Sequence, residues 1–217
     1  MHVEREVPPL GGVGDGDREV ALTEWTLTMR ARARHDPAPP HPGLRVERAR
    51  VPSYELSHAL YSAVGVTVCW TDRRTWDYDA WHEWVADPRL ELWIATVDGT
   101  PAGFCELLGH DDAAVEIVLF GLIPTFRGVG VGGPFLSACI EAAWRYDRTL
   151  PGRDLPGDTS RVFLVTSTLD HPHALKNYLA RGFELEHSEK WDKRVPDPRV
   201  SVLDLPFDPR DDARRGL

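Results

Sequence analysis

The chain has little cysteine, no long apolar run and a deficit of positive charge, and each shortage excludes something. Its three cysteines, Cys69, Cys105 and Cys139, lie far apart in 217 residues and in no CxxC spacing. That pattern supplies neither a disulfide framework nor a zinc site, and it predicts free thiols in a reducing compartment. No stretch approaches the roughly 20 apolar residues that span a bilayer. The opening MHVEREVPPLGGVGDGDREV lacks an apolar h-region and carries acidic residues, so no signal peptide is expected and the cytoplasm is the expected compartment. Lys and Arg number 25 against 34 Asp and Glu, a net charge of -9. Phosphate backbones and anionic membrane surfaces would be repelled, so neither nucleic acid nor membrane is expected as a partner; a cationic one suits the balance.

What is present reads as one large domain with short extensions, with 42% hydrophobic and 27% charged residues. Residues 1–20 are rich in Gly, Pro and charge and are expected to be disordered. Residues 21–43 read as an N-terminal strand (ALTEWTLTMR) followed by a Pro-rich linker (HDPAPPHPG). The domain proper is expected over 44–205, with a flexible tail over 206–217. LRVERARV alternates as a half-buried strand does, and Leu56, Ala59, Leu60, Ala63 and Val64 recur at helical spacing. A short helix around Trp81 and Trp84 follows. ELWIATV and AGFCELL flank Asp98-Gly99, a tight-turn dipeptide. AVEIVLFGLI comes next, then a helix with Val131, Phe135, Cys139, Ala142 and Tyr146 on one face, then RVFLVTS as a buried strand. In DHPHALKNYLARG, Asp170 or His171 is the expected N-cap and Gly182 the residue past the end. FELEHSEKW and VSVLDL close the chain as strands. The order predicts a three-layer α/β/α fold with a mixed, mostly antiparallel central sheet.

The most informative segment is GLIPTFRGVGVGG, residues 121–133, which joins a strand to a helix. Glycine lets backbone approach a ligand, and the first amides of a helix lack internal partners, so together they make an anion site suited to a pyrophosphate. Pro134 in the first turn is expected to delay the helix start. Gly128, Gly130 and Gly133 match GxGxxG, but the residues 124–127 intervene after the strand and antiparallel strands precede it, which argues against a dinucleotide-binding unit. Arg127-x-x-Gly130-x-Gly132 fits better. Together with AVEIVLFGLIP before it and ALKNYLARGFE after it, this turn resembles the two core motifs of the GNAT N-acyltransferases, over about residues 44–195.

The resemblance implies acetyl-CoA as co-substrate and an amine as acceptor. The backbone from Val129 through Gly130, Val131 and Gly132 to Gly133, with Arg127 and Gly128, would hold the pyrophosphate. Leu122 and Ile123 would hydrogen-bond the pantetheine as an added strand would, and a backbone N–H there would serve the oxyanion. The strand carrying them would be bulged and would splay from RVFLVTS. Tyr178 matches the family's tyrosine and would protonate the departing thiolate; its alternative is simple packing. Glu116 sits where one branch of the family places its base. If the GHDDA loop centres near Asp111, Glu106 lies opposite Glu116, and two adjacent carboxyls would raise one pKa. His171 would touch the pantetheine arm or cap its helix. His171 and His173 lack further ligands, so no metal is expected. Trp70, Trp76, Trp81 and Trp84 fall in the acceptor wall, where they would receive a cation or pack. The rival readings are a non-catalytic acyl-CoA-binding module and, less well supported, an NAD(P)-dependent oxidoreductase. The β-rich C-terminal end could pair with a second copy.

Overall fold

The computed structural model describes residues 18–195 apart from 66, 67 and 69. The expected strand VSVLDL and both chain ends lie outside that range. The elements run β1 (Arg18–Met29), β2 (Leu44–Ala49), α1 (Tyr54–Gly65), α2 (Tyr78–Ala86), β3 (Leu90–Val97), β4 (Thr100–Gly109), β5 (Ala114–Leu122), α3 (Gly132–Trp144), β6 (Arg161–Ser167), α4 (Ala174–Ala180) and β7 (Glu184–Val195). Seven strands form one sheet in the order β2-β3-β4-β5-β6-β1-β7. Every neighbouring pair is antiparallel except β5 and β6. Helices cover both faces, so the three-layer α/β plan with a mixed, mostly antiparallel sheet is the observed one.

Local chemistry explains the main turns. Asp98 and Gly99 both take positive φ (49° and 82°), as the hairpin between β3 and β4 demands. The helix α3 buries Val131, Phe135, Cys139, Ala142 and Tyr146 against Leu27, Leu107, Val115, Ile117 and Leu164 of the sheet. Cys105 and Cys139, distant in sequence, become neighbours in this core as free thiols, and burial pushes the Cys105 thiol up. The opposite face of the sheet carries a second core of Leu60, Tyr61, Val64, Trp81 and Phe104 beneath α1 and α2.

Three expectations need correction. Residues 18–29 are not an appendage: β1 pairs with β6 on one side and β7 on the other, inside the sheet. The Pro-rich segment is not a free linker. His35 contacts Glu141, Ala38 N–H donates to Ser137 Oγ and Asp36 N–H donates to the Arg181 carbonyl, so it is strapped across α3 and the end of α4. Finally, the N-cap of α4 is His173, not Asp170 or His171. Asp170 instead accepts from Thr166 Oγ1 and the Ser167 amide, and the His171 ring accepts from the His173 amide. Gly182 ends α4 as expected, with φ +94° and the Phe183 amide reaching back to the Tyr178 carbonyl.

Candidate active site

The site begins where β5 and β6 part. They pair only from Ala114–Arg161 to Ile117–Leu164. On its other edge β5 slips register against β4: Ile117 faces Leu107 and Leu119 faces Glu106, so Val118 is an extra, bulged residue. This is the bulge and splay that the resemblance implied. Beyond it a cavity of about 410 Å³ opens between the end of β5, the glycine turn and α4, walled on one side by Val64 and Trp70. Gly121 admits that wall, since a Cβ there would lie 2.3 Å from Val64 Cγ1.

The strand edge facing the gap can be read from its ladder. Ile123 N–H donates to the Ala102 carbonyl at 2.8 Å, so Ile123 is committed to β4. Alternation in an antiparallel ladder then turns the backbone groups of Phe120 and Leu122 towards the gap. Ile123 is therefore not available as a donor there, and Phe120 takes the place expected of it. The Leu122 carbonyl is itself occupied by Arg127 Nε at 2.9 Å, while Arg127 Nη2 holds the Val64 carbonyl at 2.8 Å. Arg127 thus bolts the end of α1 to the end of β5 while still lining the cavity, and burial lowers its pKa.

The glycine turn owes its glycines to φ rather than to crowding. Gly128 and Gly130 have φ of +76° and +88°, and a Cβ at either would meet nothing within 4 Å. Val131 is fully buried in the core while Val129 is exposed, so each serves a ligand only through its backbone. Pro134 sits in the first turn of α3 and does not delay it, because the helix starts at Gly132. Among the described residues no carbonyl takes the amides of Gly130, Val131, Gly132 or Gly133. Gly128, Gly132 and Gly133 line the cavity, so these free donors at the positive end of α3 open into it.

The helix α4 supplies the opposite wall with His173, Ala174, Lys176, Asn177, Tyr178 and Ala180, beside His171 and Asp170. The sequence reading missed Lys176 and Asn177, although 173, 177 and 180 share one face at helical spacing. It also missed Arg181, whose Nη1 lies 2.9 Å from where a Gly133 Cβ would stand. Lys176, Arg127 and Arg181 give the glycine end of the cavity positive charge. Burial, then the charge of Arg127 and the neighbouring His173, lowers the pKa of His171. Tyr178 is 7% exposed, borders the cavity and sits edge-on to Phe120. Among the described residues nothing hydrogen-bonds its hydroxyl. Burial, then the Asp170 charge, pushes its pKa well above the ordinary phenol value, so it holds its proton across neutral pH.

The two carboxylates do not meet as expected. The turn centres on Asp112 rather than Asp111, which puts Glu116 opposite Leu108, not Glu106, and the bulge beyond it sets Glu106 against Leu119. Glu106 is committed elsewhere: Arg73 donates to both its oxygens at 3.0 and 2.8 Å, and Trp84 Nε1 donates at 3.1 Å. Neither glutamate borders the cavity. Glu116 is hydrogen-bonded to His110 Nε2 at 2.9 Å. The tryptophans also divide. Trp70 lines the cavity, but Trp76, Trp81 and Trp84, with Tyr61, surround the Arg73 guanidinium at 4.4 to 5.8 Å from the ring centres. The cation in that aromatic box is the protein's own. Among the described residues no group of three or more His, Cys, Asp or Glu is placed to hold a metal, and no helix is long and apolar enough to cross a membrane.

Comparison with known proteins agrees with this geometry. The model of the acetyltransferase (GNAT) family matches residues 53–150, a little under half of the chain. The fold is similar to that of a GCN5-related N-acetyltransferase from Sphaerobacter thermophilus, with TM-score 0.58, 15% identity, and 84% of this chain covering 54% of that one. It is also similar to a GCN5-related N-acetyltransferase from Kribbella flavida (TM-score 0.53, 16% identity, 84% of this chain on 60% of that one). A functionally unknown conserved protein from Staphylococcus epidermidis gives TM-score 0.52 at 17% identity, 83% of this chain covering 63% of that one. The chain thus spans between about half and two thirds of the length of these structures. No protein of curated function matches the sequence.

Proposed function

We propose that the protein transfers an acetyl group from acetyl-CoA to a primary amine by direct attack, without a covalent enzyme intermediate. The observation that carries this reading is the row of unpaired amides at the start of α3, opening into the cavity where β5 leaves β6. A pyrophosphate suits those donors, with Arg127, Lys176 and Arg181 around it. The backbone edge at Phe120, with the Leu122 N–H, suits an extended amide-bearing arm lying as an added strand, which leads into the gap beside Tyr178. The Tyr178 phenol, protonated and unpartnered, then donates to the sulfur as the carbon–sulfur bond breaks. Glu116 receives the amine's proton through water. The acidic balance of the chain favours a small cationic acceptor.

Two expectations follow. A Gly130→Val change should weaken acetyl-CoA binding about tenfold or more, because a β-branched residue at φ +88° costs on the order of 1–3 kcal/mol of strain; calorimetric titration of acetyl-CoA into both proteins checks it. The binding should also weaken as salt rises from 50 to 500 mM, since charge and helix dipole supply much of it; a flat salt response would remove the phosphates from this end of the cavity.

A non-catalytic acyl-CoA-binding module is the second reading. It is favoured by the distance of Glu116 from the cavity lining, and it predicts acetyl-CoA binding with no amine-dependent thiol release.

A further inference from the structure

His110 and Glu116 form a pair that nothing in the fold requires. Glu116 is on β5 and His110 just beyond the end of β4, with Nε2 and Oε2 2.9 Å apart and side-chain exposures of 35% and 23%. The backbone of His110 is fixed at both ends: its N–H donates to the Ala114 carbonyl, and its own carbonyl accepts from Arg148 Nη1 at 3.0 Å. Its ring stands 5.4 Å from that of Phe163 on β6, and the Arg161 guanidinium lies 4.8 Å over the other ring. Arg161 is in turn neutralised by Asp112 at 2.9 Å and Glu186 at 3.7 Å. The imidazole therefore faces one carboxylate directly, with the remaining charges near it (Asp111, Asp112, Arg161, Glu186) in the adjoining loop or paired.

This pair lies on the sheet face opposite α3, where α1 and α2 pack against β3 and β4. Towards β6 that face is open, with Val165 44% exposed. Glu116 precedes Phe120 by four residues, about 13 Å of extended chain along that face.

We infer that His110 is the positioning residue for Glu116 and shares the proton that Glu116 receives. As the nitrogen–carbon bond forms, the amine proton passes through water to the Glu116 carboxylate. The imidazole hydrogen-bonded to that carboxylate takes it up and releases a proton to solvent, returning the pair to its starting charge. This rests on the reading of Glu116 as base given above.

The test compares wild type, His110→Gln and Glu116→Gln, measuring acetyl-CoA thiol release with a pooled set of amines from pH 5 to 10. It also records the imidazole proton resonances of wild type and Glu116→Gln over the same range. His110→Gln should lower the plateau of kcat/KM about tenfold or more. The loss should fall on kcat, with KM for acetyl-CoA within about threefold of wild type. Glu116→Gln should move the His110 imidazole proton resonances, since the ring's hydrogen-bond partner at 2.9 Å has changed. Wild-type rate and pH profile in His110→Gln overturn the inference while leaving the transferase reading intact. Full activity in Glu116→Gln overturns both the base assignment and the inference. If wild type releases no thiol, the transferase reading fails, and unmoved His110 resonances in Glu116→Gln overturn the pair by themselves.

Discussion

Replacing Tyr178 by phenylalanine should reduce amine-dependent thiol release by about a hundredfold or more, with acetyl-CoA affinity changed less than about threefold. The separation follows from where the hydroxyl sits. The ring packs against Phe120 and Phe183, so phenylalanine keeps the wall of the cavity. Only the oxygen is lost, and among the described residues it has no hydrogen-bond partner to leave orphaned. In the proposed mechanism its role is confined to the moment when sulfur gains charge, an interaction absent from the ground state. Because burial raises its pKa, deprotonation of Tyr178 should not set the alkaline limb of the wild-type profile at mildly alkaline pH. Steady-state kinetics with a binding titration decide the matter: equal losses in affinity and turnover would make Tyr178 a packing residue.

Arg73→Ala should destabilise the fold by about 3–5 kcal/mol, since it leaves a buried carboxylate without its counter-ion. For a domain of this size that corresponds to a drop of roughly 6–20 °C in Tm. Arg73 and Glu106 are 6% and 1% exposed and hydrogen-bonded through both oxygens, inside a box of Tyr61, Trp76, Trp81 and Trp84. The double change Arg73→Met with Glu106→Leu should recover most of the loss, because removing both charges removes the desolvation penalty with the attraction. Thermal unfolding of the single and double variants checks this. If the double variant unfolds as early as the single one, the cation in its aromatic box contributes more than ion pairing.

Much of the site was legible from sequence because it is written in backbone requirements. Gly128 and Gly130 stand where φ is positive, and Asp98-Gly99 where a hairpin must turn; such signals are local and survive without knowledge of partners. The alternation of AVEIVLFGLI announces a strand, and the spacing of Val131, Phe135, Cys139 and Ala142 announces the buried face of α3. What was not legible depends on pairings across long sequence distances. Residues 18–29 read as a strand, but nothing in ALTEWTLTM says that it enters the sheet between β6 and β7, whose residues lie more than 130 positions away. Glu106 looked like a partner for Glu116 because the loop's composition does not distinguish a turn centred on Asp111 from one centred on Asp112; that difference puts Leu108 opposite Glu116, and the bulge at Val118 carries Glu106 one step further, to Leu119. Arg73 gives no sign, among nearby charged residues, that it fills the aromatic box. The tryptophans were read as receiving a foreign cation or as packing, and for the same reason neither reading placed Arg73 among them.

The proton-handling side of the chemistry is built differently from the binding side. Donors for an anion come from consecutive residues at one helix start. In the proposed mechanism Tyr178 and the Glu116–His110 pair come instead from α4, β5 and the loop after β4, and only Tyr178 borders the cavity.

The most direct measurement incubates the protein with acetyl-CoA and a pooled set of primary amines, reading free thiol and product masses together. The account predicts thiol release that depends on amine, one amine gaining an acetyl group in equal amount, and loss of both in Gly130→Val and Tyr178→Phe. Acetyl-CoA that neither binds at millimolar concentration nor releases thiol with any amine would contradict it.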